Sequence, residues 1–97
     1  WEIAVDGELQ QPVCGVQWTG TLNAQQTQRW FTFNWPATWH IVWTVMSTTA
    51  QSGAPQVRWN VQVERANAEF ITYWISVTNL TASPVTFEGR YCILSYY

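Results

Sequence analysis

Between Gln28 and His40 the chain sets Trp30, Trp35 and Trp39 among Arg29, Asn34 and His40. An indole offers a flat apolar face, and planar amide, guanidinium and imidazole groups supply directed hydrogen bonds around it. A sugar ring needs this mixture, because its axial C–H bonds make one apolar face while its hydroxyls project from the rim. Arg29, Trp30, Asn34, Trp35, Trp39 and His40 are therefore the expected ligand-binding residues, and glycans or glycoconjugates the expected partners. A second polar row, Arg58, Asn60, Gln62 and Glu64, alternates with Val57, Trp59, Val61 and Val63. It carries two amides and both charge signs on one face, although such a row is also what the wet side of an antiparallel sheet looks like.

Catalysis has few components to draw on. His40 is the only histidine and Asp6 the only aspartate, and no serine stands in a G-x-S-x-G setting. Glu64, Glu69 and Glu88 could supply a carboxylate pair for glycoside hydrolysis, but a domain this small rarely closes a water-free cleft around one. Two cysteines and one histidine show no ligand spacing, and no glycine-rich phosphate loop is present. The expectation is a binding protein without enzyme activity, metal or cofactor.

Composition narrows the partners further. The 97 residues contain eight Trp, four Tyr and four Phe, only 10% charged residues and no lysine, for a net charge of −2. Nucleic acid and anionic membranes are disfavoured because no basic patch exists to displace counterions. No apolar run reaches the roughly 20 residues of a membrane span. The length fits one domain over 1–97. A neutral surface rich in Thr, Gln and Asn suits a secreted protein. The start at Trp1 leaves a removed signal peptide and a trimmed chain as alternatives. Cys14 and Cys92 are expected to form a disulfide closing nearly the whole chain, worth up to about 4.5 kcal/mol by loop-closure entropy.

The elements that must position these residues read as strands. Alternation marks Trp1–Val5, Val13–Leu22, Thr27–Asn34, Trp39–Thr48, Val57–Arg65, Phe70–Asn79 and Val85–Tyr96, with an Asp6-Gly7 turn after the first. Pro and Gly punctuate the intervals, and no helical period or internal repeat appears. About seven strands predict an all-β antiparallel β-sandwich, with a small barrel as the alternative. Placing Phe31 and Phe33 in the core turns Trp30 outward with Thr32 and Asn34, and leaves Trp35 in a loop. Trp74 and Trp1 are further exposed candidates. If Cys14 points inward with Val16 and Trp18, a bulge near Gly89 is needed to turn Cys92 inward as well. The alternatives are a bridge on an outer face or none.

Sixteen aromatic rings exceed what a thin two-layer core is expected to hide, so the surplus should meet a sugar or a second subunit. A homo-oligomer would multiply weak sugar sites. The rival reading is a self-assembling structural subunit of an extracellular surface layer, filament or coat, for which Ser95-Tyr96-Tyr97 would suit packing on a neighbour. Asn79-Leu80-Thr81 is a glycosylation sequon at a strand-to-loop junction. The segment Tyr73-Trp74-Ile75-Ser76-Val77 resembles the aromatic–Trp–Ile ending of small six-stranded invertebrate H-type lectins. It does so over these residues alone, and no site residue is carried over.

Overall fold

Alternating apolar and polar side chains, many of them β-branched or aromatic, commit most of the chain to extended structure. The computed structural model describes residues 3–5, 8–10 and 13–95, with side-chain environments given for 13–95. Strands β1 (Ile3–Val5) and β2 (Glu8–Gln10) pair with each other in a two-stranded ladder. The remaining strands are β3 (Val13–Leu22), β4 (Thr27–Pro36), β5 (His40–Ser47), β6 (Val57–Arg65), β7 (Phe70–Asn79) and β8 (Val85–Ser95). They form two three-stranded antiparallel sheets, ordered β3-β8-β5 and β4-β7-β6. Six strands, rather than seven, thus build the two sheets, since the first candidate strand pairs only with β2. The barrel alternative is not realised, because among the described residues each sheet ends in two edge strands that pair with no further strand. Trp1, Asp6-Gly7, Tyr96 and Tyr97 lie outside the described residues.

The two sheets share one apolar core. Leu22, Ile41, Val45, Phe87 and Ile93 enter from the first sheet, and Ile71, Tyr73, Ile75 and Val77 from the second. Each fully buried aliphatic or phenyl side chain contributes about 1.5–3 kcal/mol. Around this centre Trp18, Trp30, Trp35, Trp39 and Trp43 pack half-buried between the layers. Burial there pushes the Tyr73 phenol above its ordinary pKa, because the phenolate loses its water.

Glycine makes room for the rings. In the β3–β8 ladder Gly15 faces Tyr91, Trp18 faces Gly89 and Gly20 faces Phe87. A Cβ at Gly20 would stand 2.8 Å from Phe87, and one at Gly89 would run into the Trp18 indole. Each aromatic ring therefore lies over the backbone of its cross-strand partner, and the layer stays thin.

A register shift between Val16 and Trp18 decides where the disulfide sits. The extra residue, Gln17, turns Cys14 and Val16 to the outside while Trp18, Gly20 and Leu22 face the core. Cys14 stands directly opposite Cys92 and is bonded to it, on the outer face shared with Arg90. The expected bulge near Gly89 is therefore corrected. It lies in the first strand of the pair, and it turns Cys14 outward rather than Cys92 inward.

Asn79 closes one end of the core. It is fully buried, and its Nδ2 donates to the carbonyls of Leu22, Asn23 and Ser83 at 3.2, 3.0 and 2.8 Å. Its Oδ1 accepts from the Thr81 amide and hydroxyl, both at 2.8 Å. The sequon is thus a structural knot in the folded chain, with its amide nitrogen committed and shielded from a glycan.

Two stability tests follow from these contacts. Asn79→Ala strands three carbonyls and two donors, and should lower the unfolding free energy by about 2–4 kcal/mol in chemical denaturation. Gly89→Ala should cost about 1–3 kcal/mol by overpacking, and more than Gly15→Ala, where the nearest obstacle is the Tyr91 hydroxyl at 3.0 Å. Equal midpoints for the two alanine variants would show that Trp18 does not need the bare backbone.

Candidate functional site

Strand parity is the starting point, because it decides which rings meet water. Along β4, Arg29 and Phe31 pair with Ser76 and Trp74 and share the outer face of the second sheet, whereas Trp30 pairs with Ile75 on the inner face. Trp30 packs against Phe87 at 5.3 Å and Trp18 at 5.9 Å between ring centroids. Phe31 and Phe33 are instead the exposed members, with 57% and 61% of their surface open. The expected assignment is therefore inverted, with the phenylalanines out and Trp30 in.

Trp35 is likewise corrected. It belongs to β4, and a shift between Thr32 and Trp35 places Phe33 and Asn34 together opposite Thr72. Asn34 absorbs the irregularity with a φ of 62°, a conformation its short polar side chain tolerates. The extra residue returns Trp35 to the inner face, where it packs on Trp43, Tyr91 and Tyr73 at 5.4–6.5 Å. Its Nε1 donates to Thr32 Oγ1 at 3.0 Å. Trp39 packs against the core from the β4–β5 turn, and His40 is exposed at the start of β5, in the other sheet. Of the six expected ligand residues, Arg29 lies on the outer face of the second sheet, and the exposed Asn34 borders Phe33 in the bulge.

What occupies that outer face is a row of stacked groups. The Arg29 guanidinium carbon lies 4.6 Å from the Trp74 ring centroid, Trp74 lies 4.8 Å from Phe31, and Phe31 lies 6.0 Å from Phe33. Interplanar angles of 32° and 35° within the ring row make these tilted contacts. The polar row of β6 borders it in register: Gln62 is opposite Trp74, Asn60 opposite Ser76 and Glu64 opposite Thr72. Trp74 Nε1 donates to Glu64 Oε1 at 2.7 Å, which fixes the indole between the two rows. The two sets read separately from the sequence thus meet on one sheet face.

Beside the phenylalanines the edge between the sheets opens into a groove of about 270 Å³ lined by Gln17, Trp18, Trp30, Phe31, Thr32 and Phe33. Its size is close to the lower bound of small-molecule sites, roughly 300 Å³. Gln17 Nε2 donates to Thr32 Oγ1 at 3.3 Å across the mouth. Rings form the walls and a primary amide stands at the rim. Among the described residues no three His, Cys, Asp or Glu side chains gather as metal ligands. Arg29 held the clue to the exposed pair, since a charged residue two and four positions before Phe31 and Phe33 marks their face as the wet one.

Comparison of the chain with protein-family models, with curated protein sequences and with solved structures found no match.

Because Phe31 and Phe33 are open to solvent, they add little to folding. Phe31→Ser and Phe33→Ser should each change the unfolding free energy by less than about 0.5–1 kcal/mol. Trp35→Ala, which empties the ring cluster between the layers, should cost about 3–5 kcal/mol by the same thermal or denaturant measurement.

Proposed function

We propose that the protein is a secreted β-sandwich module that binds carbohydrate without chemically altering it. The observation that carries this reading is the exposed Phe31–Phe33 pair, set beside Trp74 and flanked by Arg29, Asn34, Gln62 and Glu64. Exposed rings of this size are costly next to water and mark recognition surfaces. A sugar would lay its C–H face on the phenyl rings at the groove and turn its hydroxyls toward Gln17, Asn34 and the amides and charges of the neighbouring strands. Trp30 supports the groove from the inner face, while Trp35, Trp39 and His40 stand away from this platform in the folded chain. The Cys14–Cys92 bond fits an oxidising compartment. No helix among the described residues is long and apolar enough to cross a membrane.

The competing reading is a structural subunit of an extracellular layer, filament or coat. It draws on Val16, Val42 and Met46, which are 50%, 43% and 41% exposed on the outer face of the first sheet.

A glycan array probed with the folded protein, followed by calorimetric titration of the best ligands, tests the proposal. Saccharide binding is expected, with Phe31→Ala or Phe33→Ala weakening it roughly tenfold, about 1.4 kcal/mol per ring. Asn60→Ala should weaken it less, because a rim hydrogen bond is partly replaced by water. A folded sample that binds no saccharide at millimolar concentration would overturn the carbohydrate reading and favour the structural subunit.

A further inference from the structure

Among the described residues four strands have an edge that pairs with no further strand, and three of them carry features that discourage pairing. Strand β3 has the shift at Gln17 and two glycines, and β4 has the bulge at Phe33–Asn34 together with Arg29 and Pro36. Strand β6 carries Arg58, Glu64 and Arg65. Bulges, prolines and charges of this kind keep natural sheet edges from joining one another. Strand β5 has none of them beyond its first residue. From Ile41 to Ser47 it contains no charge, proline or glycine, and it pairs with β8 without a register shift. The chain also has no lysine, the residue most used to guard an edge.

From this asymmetry we infer that the free edge of β5 joins the same edge of a second copy of this chain, antiparallel and about a two-fold axis. The sequence of β5 is self-complementary in this arrangement. Residues directly opposite in an antiparallel pair share a face, so a symmetric pairing must be centred on a residue, not between two. Centring on Thr44 sets Val42 opposite Met46 of the partner subunit, joining two apolar side chains that are 43% and 41% exposed on the outer face. On the inner face it sets Trp43 opposite Val45 of the partner subunit, and Ile41–Ser47 pairs along its whole length. No like charges meet, and a net charge of −2 per copy opposes association only weakly. Val63 and Trp59 of β6, the strand of the second sheet nearest β5, are inner-face residues left 64% and 37% exposed. They provide further apolar surface near the junction. The interface is isologous and closed, so it makes a dimer with a continuous six-stranded sheet rather than a filament. It does not depend on sugar binding. The Phe31–Phe33 row lies on β4, at the far edge of the other sheet, and stays open in both copies.

Sedimentation equilibrium of the full chain, from low to high micromolar, reads the association directly. A dimer is expected for the natural sequence. Thr44→Lys places two ammonium groups face to face at the axis, and Met46→Lys puts a charge among apolar side chains. Each should weaken the dimer at least about tenfold while far-UV circular dichroism and the melting transition report an intact fold. Asn60→Lys, on the outer face of the second sheet, adds the same charge and should leave the dimer intact. A natural chain that stays monomeric throughout, or a dimer that survives both β5 lysines in folded protein, would overturn the inference. A dimer lost equally on Asn60→Lys would do the same, since charge alone would then be the cause.

Discussion

The fold depends on rings laid over bare backbone. Two three-stranded sheets enclose a thin layer, and an indole standing upright in that layer would force the sheets apart. Three of the β3–β8 pairs solve this by matching an aromatic with a glycine: Tyr91 with Gly15, Trp18 with Gly89, and Phe87 with Gly20. With no Cβ beneath them, the rings lie close against the partner backbone and reach Trp30, Trp35 and Trp43. Their centroids fall 5.3–6.3 Å from those three indoles. The aromatic surplus is thereby accommodated mostly inside, as half-buried rings in edge-to-face and tilted contacts.

This changes which rings are left over. Counting indoles against core volume implies that tryptophans are the exposed aromatics, but the most open described tryptophan, Trp59, is only 37% exposed, and the most open of the described rings are Phe31 and Phe33. Phenyl has no N–H to satisfy, so it can sit on an outer face without a hydrogen-bond partner. Indole does best where an acceptor is fixed nearby, as Thr32 is for Trp35 and Glu64 for Trp74. Trp18 and Trp43 lie in the layer with buried Nε1 groups that have no hydrogen-bond partner, so packing places those two.

Most strands were legible because alternation is a local property. β6 and β7 run where their pattern places them, and their inner and outer residues match the alternation throughout. The exchange of Trp30 with Phe31 and Phe33 is a choice of face that alternation alone leaves open, and two further differences lie at single-residue irregularities. At Gln17 the shift reverses Cys14 relative to Trp18, and at Phe33–Asn34 it reverses Trp35 relative to Phe31. A bulge exchanges the faces of all that follows it, and neither site carries the glycine that commonly signals one. Only the charge on Arg29 and the placement of Cys92 beside Arg90 held the parity information. The joining of the aromatic and β6 polar rows was not legible, because strand order is a long-range property.

The outer faces of the two sheets are consequently unlike in kind. On the second sheet the exposed Phe31 lies between Phe33 and Trp74, and the Arg29–Trp74–Glu64 contacts hold the row in place. A preorganised surface of this kind spends little conformational entropy on binding. The first sheet shows the disulfide, Val16, Val42 and Thr44 around a shallow depression, and the one ion pair among the described residues, Glu88 with Arg90, lies within one strand at 2.6 Å. That pair satisfies itself and leaves the adjoining apolar side chains without polar competition. One face thus carries rings bordered by polar side chains of the adjoining strand, and the other a disulfide among exposed aliphatic side chains. The surface proposed for sugar and the edge proposed for the dimer belong to different sheets, on β4 and β5, so neither would obstruct the other.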